Sequence, residues 1–239
     1  MPDELILVIH SHFPLSTLIA ARGTCRLWRS LIPGTHIPIA RRRLLELYIR
    51  AIHSPAFKAT RPLILPYLQH FDRHRYLSRL PPNLPEEFRC WILEWPAKAV
   101  LGSIWPGLTL PSRDSRPPNA LLEDGGVSLL HRTQPIMNGL VLDSPVPGHM
   151  QTTMSAAGAR QGNSKTPYGL LLDTAMVEGW QRSRILVFAG DWGEVDLSGR
   201  VYQIDGLDVQ VDKPLTETWV GYLQRELEHQ ELRMLEQNS

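Results

Sequence analysis

Reactive side chains in this sequence occur in pairs, and none of the pairs completes a known catalytic or metal-binding set. His70 and His74 are four residues apart and can share a helix face as metal ligands, but no third ligand stands at a workable spacing. His10 and His12 are two apart, which points them to different sides of a helix. The run Gly158 to Thr166 (GARQGNSKT) has the look of a phosphate loop. However, Ser164 precedes the lysine where glycine is needed, and no apolar strand leads into the run. Asp191, Glu194 and Asp196 lack the calcium-loop spacing and its terminal glutamate, so a turn between strands is expected there. Cys25 and Cys90 stand in no nucleophile pattern, and the carboxylates form no recognisable acid–base pair. Trp91, Trp95 and Trp105 can line a groove or fill a core, and core packing is the ordinary use of such residues. The expectation is a non-enzymatic protein with no catalytic residue, no metal site and no cofactor.

The elements that carry these residues fall into two kinds. With 239 residues, 43% of them hydrophobic and 21% charged, the chain can bury a substantial core. A net charge of +1 argues for neither nucleic acid nor an acidic membrane surface as partner. Two cysteines make no disulfide framework, Asp3 and Glu4 occupy the place of a signal peptide's basic region, and no apolar run is long enough to cross a bilayer. These readings predict an intracellular protein, cytoplasmic or nuclear.

Up to about residue 110 the pattern is helical. Pro2, Asp3 and Glu4 start a helix whose apolar stripe is Leu5, Ile9 and Phe13, and Pro14 stops it. Ser16 is expected to cap a second helix, and a third carries Cys25, Trp28, Leu31 and Ile32 before Pro33-Gly34. Further helices are expected from about Ile39 to His53, from Arg73 to Leu80 with Asp72 as cap, from Pro85 to Trp95, and from Ala97 to Trp105. After a proline-rich connection at Pro111 to Asn119, strands are expected at Val127 to His131, Leu140 to Asp143, Tyr168 to Asp173, Arg184 to Ala189 and Arg200 to Ile204. Asp205-Gly206 reads as a hairpin turn into Leu207 to Asp212, whose strict alternation predicts a sheet with one wet face. A closing helix is expected from about Leu215, and Ser144 to Pro167 reads as a long mobile loop. The fold class is therefore α+β.

The opening residues, MPDELILVIHSHFPLSTLIAARGTCRLWRSLI, resemble the F-box. Its pattern is Leu-Pro-x-Glu-Leu, an apolar helix, Leu-Pro-Leu, a second helix, then Val-Cys-Arg-x-Trp-Arg-x-Leu. Pro2, Glu4, Leu5, Ile9, Pro14, Leu15, Leu18, Cys25, Arg26, Trp28, Arg29 and Leu31 match it in register. Met1, His10 and Thr24 depart from it, and the small second residue predicts removal of Met1. About forty residues in three short helices bury too little surface to stand alone, so the rest of the chain or a partner must cover them. The resemblance implies that the partner is a Skp-family adaptor and, through it, a cullin–RING ligase. Pro2, Leu5, Ile9, Leu15, Leu18, Cys25, Trp28 and Leu31 are then the expected contact or contact-supporting residues. Trp28 and Ile9 have core packing as their alternative. The basic residues Arg22, Arg26, Arg29, Arg41, Arg42 and Arg43 lack the interleaved aromatics of a nucleic-acid reader and are expected to form a solvated or steering face.

The segment from Phe71 to Leu110 is similar to fungal F-box proteins of basidiomycete type. The stretches YGLLLD, RILVFAGDWGEV, GRVYQIDG and LTETWVGYLQREL are similar to Smi/Knr-like (SUKH-type) domains, which are α+β modules that mostly bind other proteins. The expected organisation is an F-box at 1–34, a helical connector at 35–110 packing on the C-terminal domain, and a Smi/Knr-like domain at 111–239 that recruits an unknown protein substrate. The resemblance implies an SCF-type substrate receptor. A scaffold outside ubiquitin transfer, or an enzyme in the C-terminal sheet region, are the alternatives.

Overall fold

The computed structural model describes residues 2–102, 104–108, 126–128, 130, 135–140, 167–177, 180–192, 194–205, 208–209 and 211–237. Met1, the proline-rich connection at 111–119, and residues 144–166 of the expected loop lie outside the described residues, so those three expectations have no structural counterpart. Eight α-helices and eight strands are present among the described residues. The helices are α1 (Asp3–Ser11), α2 (Leu15–Thr24), α3 (Arg26–Leu31), α4 (Ile39–His53), α5 (Pro55–Ile64), α6 (Arg73–Leu77), α7 (Glu86–Glu94) and α8 (Trp219–Gln237). The strands are β1 (Gly126–Ser128), β2 (Met137–Gly139), β3 (Tyr168–Val177), β4 (Trp180–Ala189), β5 (Asp191–Trp192), β6 (Val195–Asp196), β7 (Val201–Asp205) and β8 (Asp208–Val209). The α+β class, with a helical start, an antiparallel sheet and a closing helix, stands.

Local chemistry accounts for most helix boundaries. The Asp72 carboxylate accepts the Arg75 N–H at 3.0 Å and caps α6. Ser54 accepts the Phe57 N–H and Pro55 takes the first helical position, starting α5, a helix that the sequence reading omitted. Ser16 does not cap α2. That helix starts two residues earlier, behind Pro14, because its cap comes from elsewhere in the fold. The helix expected from Ala97 to Trp105 is only a 3-10 turn at Ala97–Ala99: Gly102 adopts a positive φ of 57°, which a continuing right-handed helix excludes. The closing helix begins at Trp219 rather than Leu215, with the Thr218 hydroxyl accepting the Gly221 N–H at 3.1 Å.

The main sheet runs in the order β1-β3-β4-β7-β8, with β2 also pairing β3, and all of its pairings are antiparallel. A strand is present at Met137–Gly139, the expected strand at Leu140 to Asp143 lies outside the described residues beyond Leu140, and β3 and β4 run longer than their expected segments. The expectation of one wet face fails at the centre of the sheet. On β4, Leu186 and Phe188 face the helices, whereas Ile185 and Val187 join Leu140, Leu197, Tyr202, Ile204 and Val209 in a second cluster, and all are buried. The alternation around residue 209 belongs to the edge strand β8, whereas β4, separated from it by β7, is covered on both sides.

The larger core is continuous from one end of the chain to the other. Leu15, Leu18 and Ala21 of α2 belong to the same buried cluster as Trp91 of α7, Leu170 and Leu186 of the sheet, and Trp219 and Leu223 of α8. Trp91, Trp105, Trp219 and Phe88 meet edge to face or tilted, with centroids 4.9–5.9 Å apart, which settles the tryptophans as core. Arg184 on β4 ties the sheet to α8 by reaching Asp173 at 3.1 Å, Glu226 at 2.8 Å and the Tyr222 hydroxyl at 3.2 Å. Burial opposes the charge on Arg184, but Tyr222 and the two carboxylates outweigh it and hold the guanidinium firmly protonated.

Candidate functional site

The three opening helices present two unlike surfaces. On α1, residues at i and i+4 pair up, and the two resulting faces are Ile6 with His10 and Leu5 with Val8 and Ile9. The first face turns inward, with Ile6 and His10 both buried. The second is open: Leu5 is 53% exposed, Val8 57% and Ile9 41%. Leu27 on α3, 47% exposed, is a fourth large apolar side chain of this region in water. Pro2, Pro14 and Cys25 are exposed as well. An isolated exposed leucine is commonplace; here four large aliphatic residues are exposed on two short, mutually packed helices.

The expected contact residues divide across this boundary. Pro2, Leu5, Ile9 and Cys25 lie on the open side. Trp28 and Leu31 are half-buried, with the Trp28 ring edge-on to His10 at 5.1 Å. Leu15 and Leu18 are completely buried, so they support the surface from within and offer it no contact. Each contributes about 1.5–3 kcal/mol by leaving water. Val8 and Leu27 are open-face residues that the sequence reading did not select. The signal for Val8 was its spacing of three and one from Leu5 and Ile9, whereas nothing in the spacing of Leu27 distinguished it from the core residues beside it.

Cys25 acts as the cap of α3, its sulfur accepting the Trp28 N–H at 3.5 Å. Arg29 donates from Nε to the Arg22 carbonyl at 3.1 Å, bracing α3 against the end of α2. Arg42 donates to the Pro33 and Thr35 carbonyls and fixes the exit of the chain from this module. The side chains of Arg29 and Arg42 thus carry structural bonds that the reading of a solvated basic face did not foresee, whereas Arg22 contributes only its backbone carbonyl.

Two carboxylates on α7 tie distant parts of the chain together, and one of them reaches the module. Glu94 accepts the Leu15 N–H at 2.6 Å and grips Arg41 of α4 through both oxygens, at 2.7 and 2.8 Å. It therefore supplies from α7 the N-terminal cap that α2 lacks in its own sequence. Seven residues earlier and on the same side of α7, Glu87 does the equivalent at the other end of the molecule. It accepts the Val220 N–H at the start of α8 at 2.9 Å and pairs with Arg43 at 2.7 Å. Burial alone would raise the Glu94 carboxyl, but Arg41 and the Leu15 N–H outweigh it and leave it below the ordinary carboxylate range. The Cys90 thiol, buried and close to that carboxylate, is pushed up to about 12. His70 and His74 are both exposed, and only His74 lies in α6, so they share no helix face. No group of three metal-ligating side chains occurs among the described residues.

Residues 1–37 match the family model of the F-box domain. No curated protein and no solved structure matches the chain. The match covers the three opening helices, the 3-10 turn at Ile32–Gly34 and the approach to α4, and so the whole of the open apolar face.

Proposed function

We propose that this chain, which carries an F-box domain at its N-terminus, is a substrate receptor: it docks a Skp-family adaptor of a cullin–RING ligase through the outer face of α1 and α3. The observation that carries the reading is the open face itself. Leu5, Val8, Ile9 and Leu27 remain in water while Ile6 and His10, on the inner face of α1, are buried. F-box domains serve as docking elements for such adaptors in SCF-type ligases, and an apolar patch kept outside the core is what a partner's helices would cover. Pro2, Leu5, Ile9 and Cys25 are the contacts on this reading, joined by Val8 and Leu27, with Trp28 and Leu31 at the rim and Leu15 and Leu18 as internal support.

The C-terminal α+β half, of Smi/Knr-like (SUKH) type in a receptor of fungal F-box kind, recruits the protein target. The mechanism is proximity: holding a target beside a charged ubiquitin conjugate raises its effective concentration, and the receptor itself performs no bond chemistry. The α7 carboxylates suit that role, because they join the docking helices and the closing helix to one rigid element.

The test is co-purification of the full chain with a Skp-family adaptor and a cullin, compared with a Leu5→Asp/Ile9→Asp variant. Both substitutions fall on exposed positions and leave the core untouched. Loss of adaptor and cullin together is expected. Undiminished adaptor recovery would end the docking proposal, and adaptor without cullin from the unsubstituted chain would assign a scaffold role instead.

A further inference from the structure

His10 is the one residue of α1 that opposes its own position. Its side chain is 0% exposed, and neither ring nitrogen has a hydrogen-bond partner. It lies against Phe13 at 5.5 Å and Trp28 at 5.1 Å, both apolar surfaces for a neutral ring. We propose that His10 makes the docking module acid-sensitive: protonation of its imidazole releases α1, and with it the apolar docking face, from the helices behind. The inference rests on the docking reading for its functional consequence, though not for the release itself.

The surroundings offer a protonated ring two aromatic neighbours but no counter-ion and no hydrogen-bond acceptor. α3 and the 3-10 turn at Ile32–Gly34 pack against α1, and α2 packs on α3. The charged residues of those three elements are Arg22, Arg26 and Arg29, all cationic, and the turn has none. On α1 itself Asp3 and Glu4 are exposed in the first turn, about two helical turns from His10, and the neighbouring His12 is exposed. A second N–H would therefore be buried with no acceptor and a net charge with no counter-ion. Burial accordingly lowers the affinity of the ring for a proton below the ordinary histidine value of 6.5. The sign of the linkage is then fixed. The packed state holds fewer protons than the released state, so packing is fully favoured above 6.5 and weakens as pH falls through it, until the packed-state value is passed.

Only α1 is held through this residue. It is nine residues long and buries only Ile6 and His10, so loss of one contact removes half of its fully buried anchor. α2 behind it is fixed independently by Leu15, Leu18 and Glu94.

Hydrogen exchange of the full chain and binding of a recombinant Skp-family adaptor, each followed from about pH 7.5 to about pH 5.5 beside a His10→Leu variant, test the proposal. After correction for intrinsic exchange chemistry, the α1 amides of the unsubstituted chain should lose protection on acidification while those of α4 do not, and adaptor affinity should fall by up to about tenfold, the most that one proton taken up over this range can supply. In His10→Leu, α1 should stay protected and affinity should change by less than about threefold. Equal acid responses in the two chains would overturn the proposal, as would an imidazole of His10 that titrates by NMR at or above its ordinary value. If the adaptor fails to bind either chain at neutral pH, the docking reading fails, and the exchange measurement still decides the role of His10.

Discussion

The first and last helices of this chain bury apolar surface in opposite proportions. α8 spans nineteen residues and sinks Trp219, Val220, Tyr222, Leu223 and Leu227 into the shared core. Its exposed leucines, Leu232 and Leu235, come only after Gln230, the last buried position. α1 spans nine residues, buries Ile6 and His10, and turns Leu5, Val8 and Ile9 outward along the same length that it packs. Composition does not separate the two, since each has enough aliphatic residues to fill one face. Surplus separates them: α8 spends its apolar residues on its own chain, and α1 keeps a second set that its own chain does not use. A buried stripe speaks of stability, and an additional open stripe on an already packed helix speaks of a partner.

The contrast can be broken first at α8. Trp219→Ala removes a fully buried ring that meets Phe88, Trp91 and Tyr222, and should lower unfolding free energy by about 3–5 kcal/mol in denaturant titrations. A much smaller loss would mean that the core does not depend on the closing helix. Next comes the tie between the two ends. Glu94→Ala strands the Leu15 N–H and a largely buried Arg41, and a loss of about 1–3 kcal/mol is expected. Acid should then separate the regions in sequence. The His10 contribution fades as pH drops through 6.5. Glu94, with its folded-state value depressed, contributes fully above 4.5 and loses its contribution only as pH falls below that. The indole resonance of Trp28 in the unsubstituted chain, followed by NMR, should therefore change at a higher pH than the loss of the helical signal by circular dichroism; coincident transitions would erase the distinction. The smallest effect belongs to the open face, where Leu5→Ala should alter stability by no more than about 0.5 kcal/mol while weakening adaptor capture.

Elements governed by short-range chemistry were legible in the sequence. α4 occupies the expected Ile39–His53, Asp72 caps α6 as its type and position suggest, and α7 lies between Pro85 and Trp95. The F-box pattern located the docking helices, yet it did not sort Leu15 and Leu18, which are sealed, from Leu5 and Ile9, which are open. That sorting depends on what lies behind each helix, and motif spacing carries no such information. α5 escaped notice because Pro62 sits inside it, although Ser54-Pro55 is a proper helix start. The most consequential omission is Glu94. Seventy-nine residues separate it from the amide that it caps, and in sequence it is only the last acid of an amphipathic helix. Position along α7 acquires meaning only when the ends of α2 and α8 are brought to it.

The contrast between the two cysteines gives the molecule a natural handle. Cys25 is solvent-accessible at the start of α3, within the three-helix module, whereas the Cys90 thiol is held protonated by burial beside a carboxylate. A maleimide dye at neutral pH would mark the first and spare the second, placing one fluorophore on the docking module of the unaltered sequence. Because Cys25 is itself one of the proposed contacts, a partner already in place should shield it, and occupancy could be read as slowed labelling without engineering any residue.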